Sequence, residues 1–229
     1  MARLGHGSHG SHRSSEAYSS VWIVALTWDA RTSRTVGFLE GFTYTDFDEL
    51  GFHIRSCSTL LGHPLMLPEI LLHMVTAQLN ERARIPCEDD FYREECRTGL
   101  SSMPSYHASN HSSVWEWDFK DFQDATATAN KCLTTMVFLQ RRFRFTTQYA
   151  QRQLSLLAEL KDSHYKEEHI KIMFRKTEQH WRQRLLNRIS LLETYDHQTE
   201  CVQKRIKNLN AVVRTYNIAL YWLFWHYIK

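Results

Sequence analysis

The sequence predicts an α+β protein that is mostly α-helical. A small N-terminal part with strands and helices is followed by a long antiparallel helical hairpin that ends in a stalk-like C-terminal helix. A run of β-branched and aromatic residues predicts a strand, and two long apolar series in the second half predict helices. The 229 residues include only 8 Gly and 4 Pro, too few for a turn-rich β-sandwich. These features divide the chain into a tail (1–19), a small α/β part (20–115) and the hairpin (116–229).

The first residues are predicted to be a disordered tail, because they consist mainly of Gly, Ser and His and contain no apolar stretch of the kind found in a secretory signal. The five cysteines are odd in number and form no CxxC motif, which favours reduced thiols. We therefore expect a cytoplasmic protein, or one at the cytoplasmic face of a membrane.

The small part is predicted to begin with two strands. Val21–Trp28 is the β-branched and aromatic run, and Asp29–Arg34 supplies a polar turn. Val36–Phe42 can return as a second strand, although its two glycines weaken that prediction.

Three helices are predicted to follow the strands. Thr45 is the expected N-cap of a helix over Asp46–Leu61, which should end near Gly62. A second helix should begin at Pro68 and stop before Pro86, because proline favours the first helical turn and disfavours the interior. A third helix is expected over Cys87–Leu100. The polar, aperiodic segment 101–114 is predicted to be a loop or hinge.

The first long helix is predicted over 119–161, with a break at Asp162–Lys166 (DSHYK). Steps of three and four residues visit an almost entirely apolar series, a spacing that a strand cannot produce. The members are Phe122, Ala125, Ala129, Cys132, Met136, Leu139, Phe143, Thr146 and Ala150.

The second long helix is predicted over 166–228 by a series that spans six heptads. Its members are Leu185, Arg188, Leu192, Tyr195, Thr199, Val202, Ile206, Leu209, Val213, Tyr216, Leu220, Leu223 and Tyr227. A helix of this length reaches about 90 Å, so the first long helix can cover only part of its stripe. We expect the surplus to drive homo-oligomerisation through the C-terminal helix, or to continue into another structure.

The end of this helix, Ile218–Ile228, is almost wholly apolar and aromatic. Eleven residues reach only about 16 Å, roughly half the hydrocarbon thickness of a bilayer. The segment is therefore expected to enter a membrane interface or an oligomer, and not to span a membrane by itself.

Charge is distributed unevenly between the two halves. Residues 1–114 carry 9 Lys and Arg against 13 Asp and Glu, whereas residues 115–229 carry 19 against 12. A basic second half suits an anionic lipid surface, or equally the solvated faces of long helices. No nucleic-acid-binding motif is present, so nucleic acid is not expected as a partner.

The sequence predicts a protein that is not an enzyme, because it contains no GxSxG, HExxH or phosphate-binding glycine motif. Its densest acidic cluster could hold a hard divalent cation through carboxylate oxygens. A helix N-terminus explains the first three of these acids more simply, so metal binding stays undetermined at this point. The cluster consists of Glu88, Asp89, Asp90, Glu94 and Glu95.

Three segments together resemble the fungal branch of the CorA-like divalent-cation transporters. They are Gly62–Val75 (GHPLMLPEILLHMV), Glu95–Gly99 (ECRTG) and Arg205–Asn217 (RIKNLNAVVRTYN). The resemblance runs from about residue 20 to about residue 217 and rests on the three segments in combination.

The resemblance implies the cytosolic domain of a magnesium or other divalent-cation transporter, with Mg²⁺ as a regulatory ion and a homopentamer as the assembly. In that family the final helix continues into the pore, which is marked by Gly-Met-Asn, and this sequence contains no Gly-Met-Asn. We therefore expect a truncated product that does not transport ions alone. The alternative is a non-enzymatic coiled-coil interaction module, either free of membranes or peripheral to one.

Overall fold

The computed structural model describes residues 22–57, 60, 62–100, 117, 119–162 and 168–227. The predicted tail, the hinge at 101–114 and all of the predicted break except Asp162 lie outside these residues. The described elements are a two-stranded antiparallel sheet followed by helices, two of which are long, so the prediction of a mostly α-helical α+β fold is confirmed. The element bounds are β1 Ile23–Asp29, β2 Arg34–Glu40, α1 Tyr44–Ser56, α2 Met66–Ala77, a π-helical segment Gln78–Arg84, α3 Ile85–Arg97, α4 Phe119–Asp162 and α5 Glu168–Tyr227.

The β1–β2 hairpin turns where the polar segment predicted it. Asp29 accepts hydrogen bonds from the Arg31 N–H and the Thr32 hydroxyl, which closes the turn. The second strand needs its glycine at position 37, because a Cβ there would lie 2.4 Å from Leu26 Cδ2 and 2.8 Å from the Ala25 carbonyl oxygen. The strand ends before Gly41, which has a φ of 82°.

Helix α1 begins two residues earlier than predicted, because its N-cap is Thr43 and not Thr45. The Thr43 hydroxyl accepts a bond from the Asp46 N–H, and the Asp46 carboxylate accepts one from the Thr43 N–H, which completes a capping box. The helix also ends earlier than predicted, at Ser56. Beyond it, the Leu60 N–H donates to the Cys57 carbonyl, and the His63 N–H donates to the Leu60 carbonyl.

The predicted stop before Pro86 is wrong, because α2, the π-helical segment and α3 form one continuous rod from Met66 to Arg97. A proline in a helix lacks an N–H and crowds the preceding turn. The wider π turn immediately before it relieves this crowding, and the Ile85 N–H bonds to the Asn80 carbonyl five residues back. Pro68, the predicted first residue, is the third residue of the rod, where the missing N–H is still harmless.

Helices α4 and α5 form the predicted antiparallel hairpin, with bounds that differ from the predicted ones by at most two residues. All nine residues of the first apolar series are buried. In the second series every residue from Leu185 to Tyr216 is buried or half-buried, and seven of them are fully buried. The predicted stripe is therefore the packing face of the hairpin.

Two polar pairs show the register of the two long helices. Arg144 Nε lies 3.2 Å from Asp196 Oδ2, and Asn210 Nδ2 lies 3.1 Å from Asn130 Oδ1. Counting the same number of residues along both helices from these pairs places the start of α4 opposite about residue 221 of α5. The same count places the end of α4 opposite about residue 178. The 60-residue α5 therefore extends past the 44-residue α4 at both ends.

The small part packs along the hairpin and shares one core with it. Ile70, Leu72 and Met74 of α2 and Phe91 of α3 are almost fully buried. The Gln153 side chain of α4 donates a hydrogen bond of 3.2 Å to the Pro68 carbonyl. Among the described residues, no helix carries an apolar stretch long enough to cross a bilayer.

Candidate functional site

A buried carboxylate links the small part to the long helix α5. Glu69 in the first turn of α2 is 1% exposed, and its oxygens lie 2.7 Å from Arg184 Nη2 and 3.5 Å from Arg188 Nη2. Two guanidinium groups on successive turns of α5 therefore neutralise a charge that would be costly to bury alone. This cluster fixes where α2 sits along α5.

Two histidines extend this cluster away from α5. Arg188 Nη2 lies 3.0 Å from His73 Nδ1. Because a guanidinium can only donate, Nδ1 must accept, and the His73 proton sits on Nε2. Burial lowers the pKa of His73, and the charge of Arg188 lowers it further. The His53 ring meets the His73 ring edge-on at 4.8 Å. The cluster is therefore built around a neutral imidazole.

A second ionic link joins α3 to α5. Arg205 binds both carboxylate oxygens of Glu95, through Nε at 3.0 Å and through Nη2. Its Nη1 donates to the Tyr92 hydroxyl at 3.0 Å, and the guanidinium carbon lies 4.8 Å from the centre of the Tyr92 ring. Bidentate geometry of this kind is directional as well as strong, so α3 and α5 are held in one orientation.

Four of the five acids in the predicted cluster are paired with arginines of the chain itself. Its first three acids do not stand at a free helix N-terminus, because α3 continues the rod from α2, so that interpretation was wrong. The pairs are Glu88 with Arg84 at 2.6 Å, Asp90 with Arg93 at 3.2 Å, Glu94 with Arg97 at 3.0 Å, and Glu95 with Arg205. The described part of the chain contains no group of three or more His, Cys, Asp or Glu arranged to hold a metal ion.

An aromatic contact covers the beginning of α5. The His63 ring stacks on the Trp181 ring at 5.0 Å and meets the Phe174 ring edge-on at 5.1 Å. The Leu65 N–H donates to His63 Nδ1 at 3.1 Å. Burial lowers the pKa of His63 to about 4. Trp28 of β1 completes the cover by donating to the Gly62 carbonyl at 3.0 Å.

The opposite end of α5 carries large apolar side chains that are mostly exposed. They are Ile218, Tyr221, Trp222 and Trp225, with exposed fractions between 58% and 71%. They belong to the C-terminal segment for which the sequence predicted contact with a membrane or an oligomer. An exposed cluster of this kind typically marks an interaction surface.

Sequence reasoning missed the Glu69 link, although one signal for it existed. Arg188 is one of two polar residues in the second apolar series. A charged residue at a core position of a heptad series indicates a buried partner. That partner is Glu69, which stands within the apolar run of α2. The separation of 119 residues hides the pair from any local pattern.

A comparison of the chain with protein-family models, with curated proteins and with solved structures gave no match.

Proposed function

We propose that the chain is a non-catalytic regulatory and assembly domain of the kind found on the cytoplasmic side of CorA-like divalent-cation transporters. The observation that carries this proposal is the position of the segments that resemble that family. Glu95 of the second segment is paired with Arg205 of the third, across 110 residues of sequence. Glu69 of the first segment is paired with Arg184 and Arg188 of the same long helix.

These ion pairs support a domain in which the small part and α5 move together. A displacement of α5 along its axis would separate the buried Glu69 from its arginines and the bidentate pair of Glu95 with Arg205. A buried charge that loses its partner destabilises the fold strongly. The small part and the long helix are therefore coupled, as a domain must be if it passes a signal along a stalk. The proposal includes self-association through α5 and Mg²⁺ as the regulating ion.

Sedimentation velocity of the full chain across a Mg²⁺ titration tests this function. We expect an oligomer whose sedimentation coefficient or stability changes with Mg²⁺ and not with the same concentration of Na⁺. Arg205→Ala should weaken that response, whereas Arg152→Ala, which removes an exposed pair with Glu159, should leave it intact. A wild-type chain that is monomeric and indifferent to Mg²⁺ would contradict the proposal.

One observation favours a second function, that of a coiled-coil interaction module. The family domain requires a sheet covered by helices, whereas the described residues contain a two-stranded sheet with an exposed face. On that face Ile23, Val36 and Phe38 are exposed. A chain whose assembly state is stable and unaffected by Mg²⁺ would favour this second function over the first.

A further inference from the structure

Between Lys204 and Trp225, helix α5 has a continuous exposed face opposite its buried stripe. At 3.6 residues per turn its members lie within a sector of about 100°. The stripe that packs on α4, which includes Ile206, Leu209 and Val213, lies on the other side of the helix. All members of the face are exposed: Lys204, Lys207, Ala211, Arg214, Ile218, Tyr221, Trp222 and Trp225.

This face changes character along its length. Cations occupy the first half and aromatic or apolar residues the second. Lys204 is paired with Glu200 at 2.8 Å, but no acidic residue follows Glu200 in the sequence, whereas five basic residues do. The face is therefore cationic up to Arg214 and aromatic from Ile218 onward.

We propose that this face binds the surface of a membrane that contains anionic lipids. Trp222 and Trp225 enter the interface between headgroups and acyl chains, where amphipathic aromatic rings are favoured. Lys207 and Arg214 contact the anionic headgroups, and each basic residue near such a surface strengthens binding by about fivefold. The apolar part, Ile218–Trp225, extends about 12 Å along the axis, a length that suits the interface and not a hydrocarbon core of about 30 Å.

The charges favour lipid over a second copy of the chain as the occupant of this face. Two copies paired in parallel through it would place Lys207 and Arg214 against their own equivalents, and residues 201–229 include no acidic residue to balance them. Anionic headgroups neutralise the same cations. Lipid binding by this face does not depend on the proposed function. A chain that binds no vesicles could still change its assembly with Mg²⁺.

Cosedimentation of the full chain with vesicles tests the inference. Vesicles of phosphatidylcholine with phosphatidylserine should bind the chain, vesicles of phosphatidylcholine alone should bind it at least about tenfold more weakly, and raised salt should reduce binding. Lys207→Glu with Arg214→Glu should weaken binding at least about tenfold. The matched control is Arg175→Glu with Arg182→Glu, which makes the same charge change at exposed positions near the other end of α5 and should bind like the wild type.

The aromatic residues have a control of their own. Trp222→Ser with Trp225→Ser should abolish vesicle binding, whereas Tyr44→Ser with Phe145→Ser, which removes two exposed rings elsewhere, should not. Unchanged thermal unfolding of each variant establishes that the fold is intact. Equal binding to both kinds of vesicle, binding to neither, or loss of self-association in place of vesicle binding in the Trp variant would each overturn the proposal.

Discussion

The two ends of α5 are both rich in aromatic and apolar residues, yet those near the beginning are buried and those near the far end are largely exposed. Near the beginning of the helix, Phe174 and Trp181 are buried, and the His63 ring of the small part contacts both of their rings. At the far end, Trp222 and Trp225 are more than half exposed. Phe174 and Trp222 both lie outside the stretch of α5 that faces α4, so the hairpin itself does not explain the difference between them. The composition of a helix therefore does not determine its burial, which depends on whether another element of the fold reaches it.

Replacing one tryptophan at each end of α5 tests this difference in burial most directly. Trp181→Ala should cost about 3–5 kcal/mol of unfolding free energy, because it leaves a large cavity under the His63 ring. Trp222→Ala should change the free energy by no more than about 0.5 kcal/mol. Urea unfolding of both variants measures the difference. Equal costs would mean that the far end is covered as well.

The ionic link at the covered end gives the next largest expected effect. Glu69→Gln should cost about 3 kcal/mol, because Arg184 and Arg188 lose the buried charge that they neutralise. The matched control is Glu159→Gln, which removes an exposed ion pair with Arg152 and should cost less than about 1 kcal/mol. Urea unfolding again measures both values. If the two costs are alike, the Glu69 cluster does not hold the small part on α5.

Acid should lower the free energy of unfolding through protonation of His63. In the folded chain this histidine has a pKa of about 4, below the ordinary 6.5, because it is buried. Below pH 6.5 this histidine is therefore protonated in the unfolded chain but still neutral in the folded chain. The free energy of unfolding consequently decreases as the pH falls from 6.5 towards 4. The loss attributable to His63 should be at most about 3 kcal/mol.

The His63→Gln variant isolates this contribution, because carboxylates also titrate near pH 4. The wild type should lose more stability than the variant between pH 7 and pH 4.5. His226, in the last turn of α5 and exposed, offers the control His226→Gln, which should keep the wild-type profile. Parallel profiles for the wild type and His63→Gln would contradict the assignment.

The predictions that succeeded from the sequence were those that depend on a repeated pattern. The bounds of α4 and α5 were predicted to within two residues because the three-and-four spacing recurs over many turns, so that single irregular residues do not disturb it. The burial of the series from Phe122 to Ala150 follows from the same periodicity. The expected contact of Ile218–Ile228 with a membrane interface or an oligomer stays a prediction.

The predictions that failed depend on a single residue or on distant contacts. Pro86 was taken as a helix stop, and the π-helical segment that accommodates it has no sequence pattern of its own. That error led to a second one, because the acids Glu88, Asp89 and Asp90 were assigned to a helix start that does not exist. The pair of Glu69 with Arg188 is a tertiary contact, and local spacing does not reveal it. Sequence reasoning thus found the helices but not the junction that joins them to the small part.

Thiol reactivity should distinguish the open side of the hairpin from its packed side without altering stability. Cys201 is exposed on α5, whereas Cys87 of α3 and Cys132 of α4 are buried against each other. Each buried sulfur lies 3.7 Å from the carbonyl oxygen of the other cysteine. The hydrogen bond with the Cys132 thiol, together with burial, raises the pKa of the Cys87 thiol, so little of the reactive thiolate is present near neutral pH.

Alkylation followed by peptide mapping should therefore modify Cys201 first. Cys87 and Cys132 should react only when urea unfolds the chain, and Cys201→Ser should remove the modification of that peptide without changing the rates at the other two. Because the buried pair lies where α3 packs on α4, its reaction reports opening of that contact, whereas Cys201 lies on an exposed side of α5 and needs no opening. Rapid modification of Cys132 in the folded chain would show that the small part separates from the hairpin in solution. In that case the buried and the largely exposed ends of α5 would differ less than their static burial indicates.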